Sequence, residues 1–153
     1  MQPTIAKQPE TPPPVLTSFQ REFLQRINEI RSKGCHCGNT YMPPVPPVTW
    51  NVQLQMAAMA HAKDMNKNKY VSHINRSGKS SKDRIAAAGY TINGYRSYYV
   101  GENIAWGQRT IKEVMTGWIN SEGHCLNIMN KSYKEVGAYM ENYYLAQEFG
   151  GRK

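Results

Sequence analysis

The side chains of this 153-residue chain best suited to proton transfer, metal ligation or covalent chemistry include four histidines, eleven carboxylates and three cysteines. Position sorts the histidines. His61 falls on a stripe with Leu54, Ala58 and Met65 at helical spacing, so a core histidine with hydrogen-bonded ring nitrogens is expected. His36, between Cys35 and Cys37, reads as incidental. His73 in "YVSHINRSG" and His124 in "SEGHC" lie off any apolar periodicity, in loop-like segments of the kind that carry function. Glu102 follows Gly101 and His124 follows Gly123, and both glycines are expected to let the backbone bend closely.

Two neutral imidazoles and a carboxylate would make an open zinc site, with a fourth position left for water or a guest. Equally, Glu102 would accept hydrogen bonds from backbone or histidine groups and lock the cleft. The dispersed spacing, unlike an H-E-x-x-H helix, leaves both readings open. Ser121, three residues before His124, raises hydroxyl activation by a Ser-His pair. No G-x-S-x-G turn surrounds it, and a helix-capping role for Ser121 is favoured. A zinc site from Cys35, His36 and Cys37 is disfavoured, because adjacent ligands fit poorly around one tetrahedral ion.

These residues must be positioned by helices and strands whose signals are readable. Thr17 and Gln20 form a capping box ahead of Phe19, Phe23, Ile27 and Ile30, with Gly34 as the stop. Asn51 caps the helix that carries His61, and Ser80 or Ser81 opens a short helix closed by a left-handed Gly89. Thr110 and Glu113 suggest another capping box, before Val114 and Trp118. Alternating β-prone runs around Glu141 and Asn142 predict an antiparallel hairpin. The mixture is α+β, a sheet flanked by helices.

Residues 1–14 are polar and rich in proline, which reads as a flexible leader, and residues 15–153 fit one domain. No apolar run approaches the roughly 20 residues of a membrane-spanning helix, and the first residues lack the apolar segment of a signal peptide. The net charge is +8 and the isoelectric point about 9.5, but Lys and Arg are scattered and no nucleic-acid recognition motif accompanies them. Nucleic acid is therefore not an expected partner. Weak attraction to an anionic envelope or lipid headgroups is the functional alternative to a bland basic surface.

The segments "HAKDMNKNKYVSH", "GENIAWG", "GWINSEGHCLNIM" and "VGAYM...YYLAQEFG" resemble bacterial members of the CAP superfamily, whose module is also called the SCP domain. The resemblance runs from about Leu16 to Gly150, and four motifs in the family's order make it specific. It implies a three-layer α-β-α sandwich, usually secreted or surface-exposed, with a cleft lined by two histidines and two acidic residues. His73, Glu102 and His124 match three of those positions. The fourth falls on Ser121, with Glu122 its acidic neighbour. His61 occupies a tyrosine position of the family's helix.

The resemblance also implies a bridge between Cys37 and Cys125, leaving Cys35 over. Such a long closed loop would contribute up to about 4 to 5 kcal/mol on the chain-entropy model. The function implied is that of a secreted or envelope-associated binding module for a small molecule, lipid, peptide or divalent metal. No cofactor is required, and zinc or another divalent cation on His73, His124 and Glu102 is optional. A metal-dependent or Ser-His hydrolase is the alternative.

Overall fold

The helix starts follow the capping chemistry of the chain. In the computed structural model, which describes residues 15–153, α1 (Ser18–Lys33) opens at Thr17. The Thr17 hydroxyl accepts from Gln20 N while the Gln20 side chain accepts from Thr17 N. The leader expected over residues 1–14 lies outside the described residues. After the small hairpin β1 (Cys35–Cys37) and β2 (Thr40–Met42) and the short β3 (Thr49–Trp50), Asn51 caps α2 (Val52–Asn68) by accepting from Leu54 N. Ser80, rather than Ser81, opens α3 (Ser81–Ala87), and Asp83 returns the bond.

Following β4 (Tyr98–Trp106), Thr110 caps α4 (Ile111–Ile119), but the expected reciprocal box does not form. The Glu113 carboxylate takes Arg109 N instead, one residue too early. α5 (Glu122–Ile128) begins after Ser121, whose hydroxyl makes no cap bond. The last strands, β5 (Glu135–Glu141) and β6 (Tyr144–Arg152), form the expected hairpin, with Asn142 and Tyr143 both at positive φ in the turn.

Four strands make one sheet in the order β3-β5-β6-β4. The sheet is antiparallel except for the two-residue β3, which runs parallel to β5. On one face, Phe23 and Ile27 of α1, Val114 and Trp118 of α4 and Ile128 of α5 pack on Val136, Ala138, Leu145 and Phe149. On the other, Leu54 and Ala57 of α2 pack with Ile85 and Tyr90, and Ala58 and Met65 with Tyr144 and Ala146. Helices cover both faces, giving the three layers. α2 lies so close that a Cβ on Gly137 would stand 2.1 Å from Gln55 N. Only a glycine admits that approach.

β6, covered on both sides, is buried along almost its whole length and has lost the alternation of a half-exposed strand. β4 is an edge strand whose outward carbonyls are covered by side chains from beyond the sheet. Tyr133 Oη donates to Val100 O, Asn127 Nδ2 to Glu102 O and Trp118 Nε1 to Ile104 O. That row of donors satisfies acceptors a further strand would otherwise use. Arg31 is fully buried with no carboxylate partner among the described residues, and it donates to the carbonyls of Pro46, Ile128, Asn130 and Tyr133, tying α1 to two loops. Burial lowers its pKa to about 10.

Candidate functional site

Glu102 sits in the middle of β4, directly across the ladder from Glu148 of β6, and its side chain is 1% exposed. A carboxylate desolvated to that degree needs charged partners. Arg84, in the last turn of α3, supplies them: Nη1 lies 2.7 Å from Glu102 Oε2 and 3.1 Å from Glu148 Oε1, and Nη2 lies 3.2 Å from Glu102 Oε1. The same Nη2 donates to His73 O at 2.7 Å, which pins the histidine loop. His73 Nδ1 completes the arrangement 2.8 Å from Glu102 Oε1, while its side chain is 57% exposed.

The loop bearing His73 is held from behind by α2. His61, fully buried as expected, places Nε2 2.7 Å from Ser72 O, one residue before His73. Asp64 accepts from Arg76 N and from the Tyr70 hydroxyl. His61 thus fills the core and also fixes the cleft loop.

His124 approaches from α5. Its Nδ1 lies 2.7 Å from Ser121 Oγ and its ring stacks on Trp118. The helix is fastened to β4 beneath it: Asn127 Nδ2 reaches Glu102 O and Asn103 Oδ1, and Asn103 Nδ2 reaches His124 O. The Cys37–Cys125 bridge, with Cα atoms 5.4 Å apart, anchors the next residue. Cys35 is free, and its sulfur lies 3.6 Å from Cys125 Sγ.

Charge organises the group. Burial works against the Glu102 anion, yet the neighbouring Glu148 carboxyl and the hydrogen bonds from His73 and Arg84 prevail and lower its pKa to about 2. Full burial, reinforced by the neighbouring Glu102, holds the Glu148 carboxyl far above its usual range. The hydrogen bond to Glu102 raises His73. Burial lowers His124, and the charge on His73 lowers it further, so the two imidazoles sense each other.

The expected set is therefore partly rearranged. His73 and Glu102 are bonded, and His124 stands on a helix tied to the same strand. Glu122 turns elsewhere: its carboxyl lies over Gly38, where a Cβ would meet it at 3.0 Å, because the first turn of α5 faces the β1-β2 hairpin. The second buried acid is Glu148. Gly101 is required, since a Cβ there would meet the Tyr133 hydroxyl at 2.2 Å, but Gly123 has open space and its expected geometric role does not hold. Ser121 occupies the N-cap position of α5, but its hydroxyl makes no cap bond because it is spent on His124.

Arg84 and Glu148 were missed because each sits in an otherwise apolar stretch, "RIAAA" and "YYLAQEFG". A charge inside such a run is itself the signal that could have found them. As for a metal, both Glu102 oxygens are already engaged, whereas the Nε2 atoms of His73 and His124 are not the atoms holding Glu102 and Ser121. Glu102 thus holds His73 from behind, as a carboxylate orients an imidazole, instead of offering a free oxygen of its own. Among the described residues, the donors gathered within 4.8 Å of one another are instead Cys35, Cys37 and Cys125, two of which are bridged. A separate groove of about 650 Å³, lined by Phe19, Gln55, Tyr139, Met140 and Tyr143 among others, includes none of the cleft residues.

An α-β-α sandwich with a buried Glu-Arg-Glu group over β4 and β6 is the class that the fold defines. Solved structures share the fold. An extracellular protein containing an SCP domain from Bacillus anthracis aligns with a TM-score of 0.66 at 24% identity, over 89% of this chain and 44% of that one. An outer surface protein of Borrelia burgdorferi gives 0.69 at 20% identity, over 87% and 92%. The profile of CAP, described as "Cysteine-rich secretory protein family", matches residues 24–149, and the chain belongs to that family. Among curated proteins, "Uncharacterized membrane protein YlbC" and "Uncharacterized protein YkwD" of Bacillus subtilis are 28% and 29% identical over 88% and 92% of this chain. The chain spans only 35% and 50% of their lengths.

Proposed function

We propose that this chain is a CAP-type binding module acting at the cell surface or outside it, whose cleft between His73 and His124 receives a small molecule, lipid, peptide or divalent cation. The observation that carries the reading is the His73-Glu102-Arg84 chain: a half-exposed imidazole aimed and polarised by a buried carboxylate held ionised by its partners. That arrangement presents a strengthened donor or ligand atom at a solvent-facing cleft without requiring turnover. Export is supported by relatives described as extracellular or outer-surface proteins. No described helix is long and apolar enough to cross a membrane.

A hydrolase is the second reading, favoured by the 2.7 Å contact between Ser121 Oγ and His124 Nδ1. Among the described residues no carboxylate bonds His124, so the pair lacks the orienting third group of a triad. Thermal-shift titration with chelator, zinc and a panel of lipids and peptides tests both readings. Saturable stabilisation lost in His73→Ala, without turnover, is the expected result. Ester or peptide turnover that disappears in Ser121→Ala would replace the binding reading with the hydrolase. No stabilisation by any probe would sink the binding reading.

A further inference from the structure

A cavity of about 370 Å³ opens where the beginning of β4, the loop between α5 and β5, and the end of β6 meet. Lys131, Lys134 and Lys153 line it, with Ser97, Ser132 and Tyr99 between them, and no acidic side chain does. Among the described residues no carboxylate pairs with these three lysines. Among the described residues Ser97 Oγ, shielded from water behind this lining, has no hydrogen-bond partner, so its donor is unused. The wall is built rather than incidental. Strand β6 reaches Ser132 so closely that a Cβ on Gly151 would stand 1.8 Å from Ser132 O, and Lys153 O is held by the amides of Arg96 and Ser97.

We propose that this cavity is a binding site for a phosphate group, either free or carried by a lipid headgroup. Three lysines from two separate segments line one cavity with no acidic side chain among them, a lining whose point charges suit a multiply charged oxyanion, and Ser97 lies beside them. A second cavity of about 240 Å³ shares Tyr99 and adds Lys82, Asn130 and Tyr133, giving an ester substituent a place beside the anion. The chain's excess of basic charge, which sequence leaves as a scattered surface property, has a focus here. The proposal is independent of the His73 cleft.

The test titrates the full chain with inorganic phosphate at low ionic strength by calorimetry, and with phosphatidylglycerol and phosphatidylcholine vesicles by co-sedimentation. Lys131→Gln/Lys134→Gln/Lys153→Gln is compared with Lys33→Gln/Lys67→Gln/Lys112→Gln, which removes the same charge elsewhere. Saturable phosphate binding, weakened about tenfold or more in the first variant and about twofold or less in the second, is the expected result. Ser97→Ala should weaken it several-fold, and His73→Ala should leave it unchanged. Anionic vesicles that bind and release the protein on adding phosphate identify a headgroup as the source; phosphate binding without vesicle binding identifies the free ion. Equal losses in the two triple variants would reduce the effect to net charge and overturn the site, as would absence of saturable phosphate binding by the parent chain.

Discussion

His73 and His124 are chemically similar in sequence and opposite in environment. His73 donates to an ionised carboxylate, which favours its charged form, whereas His124 is desolvated and feels His73. In metal-free protein, NMR titration of the ring C–H resonances should place His73 above the ordinary histidine value and His124 below it. Glu102→Gln should bring His73 back down. Coincident titration of the two rings would remove the case for a shared cleft. Cys35 is governed by a different balance. Its sulfur is in contact with Cys125, but burial raises its thiol pKa, so the attacking thiolate is scarce near neutrality. Peptide mapping at pH 7 should recover the Cys37–Cys125 bridge. Incubation in alkali, well above the ordinary thiol range, should add a Cys35–Cys125 fragment, as the Cys35 thiolate attacks Cys125 and Cys37 departs as thiolate. A Cys35–Cys125 bridge dominating at pH 7 would reverse this assignment.

At the level of elements, the cleft is made by fastening three separate pieces to one edge strand. α3 contributes Arg84, the loop after α2 contributes His73, and α5 contributes His124, bonded to β4 through Asn127 of the helix and Asn103 of the strand. α2 acts through His61, whose ring bonds the loop carbonyl while burial holds it neutral. His61→Ala should lower stability by about 2 to 4 kcal/mol in urea unfolding, through a cavity and an orphaned carbonyl. It should also loosen His73, measured as faster hydrogen exchange at residues 72–76. His73→Ala, on a half-exposed side chain, should cost far less. If exchange in the loop were unchanged while stability fell, His61 would be a packing residue alone.

For the whole molecule these ionisations set a stability profile. Glu102 titrates at about 2 when folded against 4.5 as its reference, so its contribution is present above about pH 4.5 and is lost as pH falls toward 2. His61 and His124 are depressed, and stability is lost as pH falls below 6.5 through their folded values. His73 and Glu148 are raised, so the folded state holds protons the unfolded chain has released and loses stability as pH rises, above 6.5 and above 4.5 respectively. The urea midpoint should therefore peak in mildly acidic solution, between about pH 4.5 and 6.5. Glu102→Gln should flatten the acid limb, which is on the order of 2 kcal/mol. A midpoint still rising at pH 8 would show that the Arg84 cluster does not control the profile.

The sequence by itself determined the local events: the caps at Thr17, Asn51 and Ser80, the hairpin near Asn142, the core stripe through His61, and the family motifs around His73, Glu102 and His124. Those signals act within a few residues of themselves, so their meaning survives without a fold. Where capping failed, at Glu113 and Ser121, a neighbouring amide or imidazole offered the side chain a better partner. Tertiary structure alone decided the second buried acid. Glu122 and Glu148 are both near family motifs, and nothing local ranks one above the other. β6, however, is covered by helices on both faces and lies in register with β4, which sets Glu148 opposite Glu102 and beneath Arg84. A buried carboxyl needs a partner that burial itself supplies, and which partner that is depends on strand register and helix placement, quantities that no stretch of sequence contains.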